Sequence, residues 1–169
     1  MEKSRIQFDQ KDIVFNGLLA AFYVVVTIIA APISFNAIQF RVSEILVLFC
    51  FFNKKNAFGL TLGCLIANLV SPLGIMDVAF GTLATLLACL GIIFSKRLII
   101  AIIFPVIANG LIVGAELAIL GEPFWFSCLT VALGELGVMI LGYTFFMLIK
   151  RNKNFLLAMR ANQNIDFKF

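Results

Sequence analysis

Between Pro105 and Leu141 the chain reads PVIANGLIVGAELAILGEPFWFSCLTVALGELGVMIL, two apolar runs joined by Gly121-Glu122-Pro123. Runs of that length and polarity belong in lipid, where a segment must satisfy its own backbone and is therefore helical. That constraint singles out three side chains: Asn109, Glu116 and Glu135. Asn109 and Glu116 share one helical face, about 10 Å apart along the axis. Counted from the turn, Asn109 and Glu135 lie at similar depth, with Glu116 nearer the mouth. Gly110 and Gly114 flank the polar face and admit a neighbouring helix. Ionisable groups at membrane depth are costly and by default face a partner or a water-filled cavity, so this hairpin is expected to wall a small-molecule pocket.

The remainder of the chain is of the same kind. It is 62% hydrophobic and 13% charged, with a mean hydropathy of +1.07, which excludes an ordinary soluble domain. Six apolar runs are expected to be helices: 13–31, 40–52, 57–70, 77–94, 98–119 and 124–149. The second is short for a full crossing. Polar segments flank them, a 1–12 N-terminal segment and a 151–169 tail whose pattern for a surface-lying helix is weak, leaving 13–150 as one membrane domain. Of the 13 Lys/Arg, 12 fall in the N-terminus, the Asn53–Asn56 and Ser95–Arg97 turns and the tail; Arg41 is the exception. This asymmetry predicts six transmembrane helices with both termini cytoplasmic, and it reads the net charge of +4 as topology and not as a nucleic-acid surface.

Polar residues in the other runs have bland readings beside the functional one. Arg41 and Glu44 are spaced to form a local ion pair, which does not exclude ligand contact. Asn68 lies at the outer end of its helix. Asp77 opens the fourth helix, where a cap outweighs a ligand role. Pro105, one turn before Asn109, frees a carbonyl and is expected to kink the helix there. Trp125 suits an interfacial anchor. Gly17 and Ala21, with Ala20 adjacent, form a small-xxx-small pair that serves either packing within the bundle or docking of another membrane protein.

Several chemistries are excluded. Histidine is absent and no GxxxxGK[ST] loop occurs, so His-based catalysis and ATP hydrolysis by a phosphate loop fall away. Cys50, Cys64, Cys89 and Cys128 stand singly in apolar runs, without metal-ligand spacing, and read as small hydrophobes. No enzyme and no cofactor are expected.

Four stretches carry a resemblance: APISFNAIQFRVSE (31–44), GCLIANLVSPLGIMDVAFGTLATLLA (63–88), NGLIVGAELA (109–118) and PFWFSCLTVALGELGVMILGY (123–143). Together they resemble the QueT family of substrate-binding S components of energy-coupling factor transporters, over roughly residues 13 to 150. The resemblance implies a cell-membrane protein that captures a queuosine precursor, a 7-deazaguanine base, from outside. It also implies a transmembrane T component and two cytoplasmic ATPases as partners. S components often dock the T component through Ala-xxx-Ala on the first helix; Gly17-xxx-Ala21 is the nearest match here.

A guanine-type edge suits these residues. Its adjacent N–H donors fit a carboxylate, Glu135 or Glu116, and its carbonyl fits Asn109 or Arg41. Phe35, Phe40 or Trp125 offers a ring for stacking. An aminomethyl group on the ligand would give a second carboxylate an ammonium to pair with. Against this stands a structural role for Glu116 and Glu135, protonated or paired with Arg41. The rival functions are an S component for another vitamin-like molecule and a self-sufficient transporter in which Glu116, Glu135 and Asp77 relay protons.

Overall fold

The computed structural model describes residues 7–34, 40–149 and 152–158, and within them the chain is helical without strands. Helix α1 (Gln10–Ile29) starts earlier than its apolar run because Asp9 and Asp12 form a reciprocal capping box: the Asp12 N–H donates to Asp9 Oδ1 at 2.7 Å and the Asp9 N–H to Asp12 Oδ2 at 3.1 Å. Past Ala30 the helix restarts as the short α2 (Ala31–Ser34), where a loop from Pro32 onward was expected. Proline is tolerated there because a helix's first turn has no intrahelical use for its N–H.

The second apolar run differs most from expectation. It is a 3₁₀ helix over Val42–Leu48 followed by one α turn, α3 (Phe49–Phe52). Together they extend about 20 Å, against a hydrocarbon thickness of about 30 Å. Val42, Ile45 and Val47 are β-branched and weaken α-helical preference. The segment is buried on nearly every side, against α1, α5 (Ile75–Phe94) and α8 (Phe124–Ile149). Helix α4 (Asn56–Asn68) is also only about 20 Å long.

The fifth run breaks at Ile102 into α6 (Leu98–Ala101) and α7 (Ile103–Ile119). Pro105 lacks the N–H that would bond Ala101, and its ring crowds that carbonyl, so the break falls one turn before the proline and well short of Asn109. At its other end α7 closes in a Schellman turn. Gly121, at φ 106°, donates to Ala118 O at 3.1 Å, and Glu122 to Leu117 O at 3.0 Å. A short helix α9 (Lys153–Ala158) follows α8.

Four helical stretches are long and apolar enough to cross a membrane: Gln10–Ile29, Ile75–Phe94, Leu98–Ile119 and Phe124–Ile149. Their outer faces expose Ile13, Leu18, Phe22, Leu83, Ile107, Leu111, Leu133 and Ile140, while Arg41, Glu44, Asp77, Glu116 and Glu135 are buried. The inversion, apolar outside and charged inside, is what lipid as a solvent selects.

The bundle has two unlike ends. At the terminal end, near residues 7–9, 53–55 and 95–97, Lys55 pairs with Asp12, and Phe49, Phe52, Phe146 and Phe155 pack ring against ring with centroids 5.1 to 6.3 Å apart. The loop end, near 71–74 and 121–123, lies toward the buried Arg41, Glu44, Asp77 and Glu116, whereas Asp12 is buried at the terminal end. Close approach of α1 to α4 is made by glycines: a Cβ on Gly59 would lie 2.4 Å from Asn16 O, and one on Gly63 2.9 Å from Ala20 Cα. Asn16 locks that seam, accepting the Gly59 N–H at 2.8 Å and donating to Asp12 O at 2.9 Å.

Gly59→Ala should therefore cost about 1–3 kcal/mol by overpacking, whereas Gly17→Ala, whose Cβ would meet nothing within 4 Å, should leave stability unchanged or slightly raised. Thermal unfolding of the two variants in mild detergent checks this; equal midpoints would contradict the packing described.

Candidate ligand-binding site

The loop-end polar residues form two groups. The first is a hydrogen-bonded chain across the 3₁₀ helix, α1, α4 and α5. Tyr23 on α1 donates its hydroxyl to Glu44 Oε1, and Thr85 on α5 donates to the same oxygen at 2.8 Å. Thr27 Oγ1 lies 2.7 Å from Ser43 Oγ, a second tie from α1 to the 3₁₀ helix. Cys64 Sγ sits 3.2 Å from Thr85 Oγ1 and accepts from Asn68 Nδ2 at 3.4 Å; Asn68 also donates to Asp77 O at 3.0 Å. Arg41 Nη2 closes the chain on Asp77 Oδ1 at 2.6 Å.

Two expectations are thereby corrected. Arg41 pairs with Asp77 across the bundle and not with Glu44, whose partners are Tyr23 and Thr85. In a 3₁₀ helix residues three apart do line up, but Tyr23 and Thr85 already hold Glu44 from two sides. Asp77 does not cap α5 either: Gly74 occupies the cap, and Asp77, in the first turn, is fully buried against Arg41. Gly81 makes room for the pair, since a Cβ there would lie 2.6 Å from Asp77 Oδ1, 2.7 Å from Asn68 Nδ2 and 3.0 Å from Arg41 Nη1. Cys64 belongs to this polar chain as well as to the apolar core.

The second group sits on the α7–α8 hairpin and is barely bonded. Glycines set its register: a Cβ on Gly114 would lie 2.6 Å from Cys128 Sγ, and one on Gly110 3.0 Å from Ala132 Cβ. Continued, this antiparallel register puts Glu135 level with Ile107, half a turn from Asn109, and Glu116 roughly 14 Å beyond Glu135 toward the loop end. Glu116 is 0% exposed, and neither of its oxygens has a hydrogen-bond partner; the same holds for both amide atoms of Asn109 and for Glu135 Oε1. Glu116 is within electrostatic reach of Asp77 and Arg41, and Glu135 of Glu44 and Arg41, so the two groups share one interior.

Other candidates lie apart. Trp125 is 77% exposed, packs edge-on to Phe124 and lines an outward groove with Ile107, Leu111 and Leu129, away from the carboxylates. Phe40 is half-buried against Gly137, two residues beyond Glu135 and so on nearly the opposite face of α8. Phe35 lies outside the described residues. On α1, Gly17 and Ala21 are exposed, while Ala20 is buried against Gly63 of α4.

Sequence reasoning missed Tyr23, Thr85, Ser43 and Thr27. A signal was present: Asp77, Gly81 and Thr85 recur every four residues along one stripe, as do Tyr23 and Thr27. A polar residue four positions from a suspected site residue shares its face.

Among the described residues no cluster of His, Cys, Asp or Glu is arranged to hold a metal. The interior offers carboxylate acceptors, an amide and a guanidinium, groups that can hold a polar molecule by hydrogen bonds and charge. Lipid-facing helices around such an interior define a multi-pass helical membrane protein of transport type. The chain belongs to the QueT transporter family, whose model matches residues 13–151. It is 35% identical over 150 residues, covering 78% of this chain and 87% of the relative, to the queuosine precursor transporter QueT of Lactococcus lactis subsp. cremoris (strain MG1363). No solved structure matches.

Removing one partner of a buried ion pair leaves an uncompensated charge. Arg41→Met should lower stability by about 3–5 kcal/mol, and adding Asp77→Leu should recover most of it. A thermal-unfolding double-mutant cycle measures this; additive losses would show that the pair is not coupled.

Proposed function

We propose that the chain is the substrate-binding S component of an energy-coupling factor importer, and that it captures a queuosine precursor, a 7-deazaguanine base, from outside the cell. The observation that carries this is the set of fully buried polar atoms on Glu116, Asn109 and Glu135 without protein partners. Buried polar atoms are nearly always bonded, so such a set at membrane depth is built for a ligand.

The chemistry fits a purine-like edge. Two adjacent N–H donors match one carboxylate, for which Glu135 is placed at the deep end, and Asn109, half a turn away, meets the neighbouring carbonyl. The family membership and the name of the Lactococcus relative support this ligand class.

In the membrane the terminal end faces the cytoplasm, because Lys11, Lys54, Lys55, Lys96 and Arg97 lie there. Val42–Phe52 and Asn56–Asn68 complete six spans; both are short, and burial of the first inside the bundle relieves it of matching the lipid thickness. The aromatic cluster of Phe49, Phe52, Phe146 and Phe155 seals the cytoplasmic side beneath the polar cup. Release therefore requires rearrangement, and the chain, lacking a phosphate-binding loop, depends on partner ATPases for the energy. The exposed Gly17 and Ala21 face on α1 is the docking surface assigned to the T component. A self-sufficient proton-coupled transporter is the weaker reading, because paired inverted repeats usually accompany that mechanism and the two halves here differ in helix length.

Gly17→Leu and Ala21→Trp should leave ligand affinity near wild type while abolishing ATP-dependent uptake and co-purification of the T component. Normal transport by these folded variants would defeat the docking assignment. Separately, Glu135→Gln should weaken binding of 7-deazaguanine by about 1.5–3 kcal/mol, tenfold or more in calorimetry. Unchanged affinity would remove Glu135 from the site.

A further inference from the structure

Glu44 carries an oxygen that the polar chain does not use. Its Oε1 accepts from Tyr23 on α1 and from Thr85 on α5, the latter at 2.8 Å, whereas Oε2 is buried without a partner. Buried carboxylate oxygens are ordinarily bonded, and Glu44 is 0% exposed. Two hydroxyl donors on one oxygen pin the carboxylate from two helices and fix the direction of the other oxygen. Helix α8 also packs on the 3₁₀ segment, and it supplies that oxygen with no donor. The α8 contact sets the level of Glu44. A Cβ on Gly142 would lie 2.9 Å from Leu48 Cδ1 and 3.3 Å from Ile45 Cγ2. Gly142 is seven residues beyond Glu135, hence on the same face of α8 and about 10 Å deeper. The stripe of α8 that carries Glu135 therefore runs down onto the 3₁₀ helix, where Glu44 immediately precedes Ile45. Glu135 is within electrostatic reach of Glu44, as two groups facing one interior are.

We propose that Glu44 is a specificity-determining residue: its free oxygen accepts the pyrrole N–H of the bound base, and Tyr23 and Thr85 are the positioning residues that aim it. The assignment rests on the deazaguanine reading above and adds the ligand's second edge to it. With Glu135 on the adjacent N–H donors and Asn109 on the carbonyl, the remaining ring donor of a 7-deazaguanine is the pyrrole N–H. A bicyclic base with a hydrogen bond at either end spans about 10 Å, the same as the drop from Glu135 to the level of the 3₁₀ helix. The pyrrole nitrogen is also where a nucleoside carries its ribose. A molecule substituted there has no proton to give and leaves the Glu44 oxygen buried and unsatisfied, a penalty that the free base avoids. The contact rejects nucleosides by chemistry as well as by size. An amide at position 44 would reverse it. Tyr23 and Thr85 donate, so they hold the amide oxygen and turn its NH2 toward the ligand, a donor facing a donor.

The test compares 7-deazaguanine with 9-methyl-7-deazaguanine, by calorimetry on the full chain purified in mild detergent. Wild type should prefer the unmethylated base by on the order of tenfold or more. Glu44→Gln should shrink that preference to roughly threefold or less, because the methyl group then removes a donor that the variant cannot use. Tyr23→Phe should lower the preference by about threefold in the wild-type background and leave it unchanged when added to Glu44→Gln. A role in helix packing alone would change thermal stability without moving this ratio. Equal affinity of folded wild type for the two bases would overturn the Glu44 contact while sparing the deazaguanine reading. An undiminished preference in folded Glu44→Gln would overturn the assignment to Glu44, the methyl group then being excluded by shape. A preference unchanged by Tyr23→Phe would overturn the positioning role. Failure of both bases to bind folded wild type would overturn the ligand class, and this contact with it. Should Glu44→Gln fail to fold, the effect of Tyr23→Phe on the ratio decides for or against the contact.

Discussion

The buried ion pair between Arg41 and Asp77 is the contact on which the loop end of this molecule depends. A guanidinium at membrane depth survives only with a counter-charge, and a carboxylate likewise. Each therefore fixes the other, and with them the elements that carry them. Arg41 caps the 3₁₀ helix and Asp77 lies in the first turn of α5, so the pair ties the most irregular segment of the chain to one of its most regular. Gly81 is small because the pair passes over it. Tyr23 and Thr85 repeat the tie one turn deeper through Glu44, and the 3₁₀ helix ends up clamped between α1 and α5 by charge and hydrogen bonds, where a longer α-helix would rely on its own ladder.

From this clamp the division of the molecule follows. Below it the interior is mostly aromatic and aliphatic, and its buried polar side chains Asp12, Asn16 and Asn56 serve the α1–α4 seam and the adjoining turn. Above it the α7–α8 hairpin contributes side chains that its own packing leaves unsatisfied. Glycines at 110 and 114 bring the two helices so close that their backbones fix the register of Asn109, Glu116 and Glu135 more firmly than side-chain packing would. Helix α1 connects the regions. Its inward face carries Tyr23 and Thr27 into the polar chain, and its outward face leaves Gly17 and Ala21 bare to the membrane.

Much of this was legible in the residues. The long apolar runs, the hairpin and the presence of Asn109, Glu116 and Glu135 in hydrocarbon follow from length and polarity alone, because lipid admits few alternatives. What escaped was partner choice. Arg41 and Glu44 are neighbours by spacing, and nothing local reveals that Asp77, 36 positions on, is the stronger partner for the cation; only the packing of α5 against the 3₁₀ helix decides it. The 3₁₀ geometry escaped as well, since the contacts of that segment with α1, α5 and α8 come from distant parts of the chain. Trp125 is exposed, which leaves it no part in the polar interior.

The central claim is that the unpartnered carboxylates and amide of the hairpin are satisfied by a bound 7-deazaguanine. Native mass spectrometry of the protein, extracted in mild detergent from cells grown with a queuosine precursor, tests it most directly. The account predicts one small-molecule adduct per chain, with the mass of a 7-deazaguanine base. An adduct of unrelated chemistry, such as a flavin or thiamine, or a bare protein even after addition of saturating base, would contradict it.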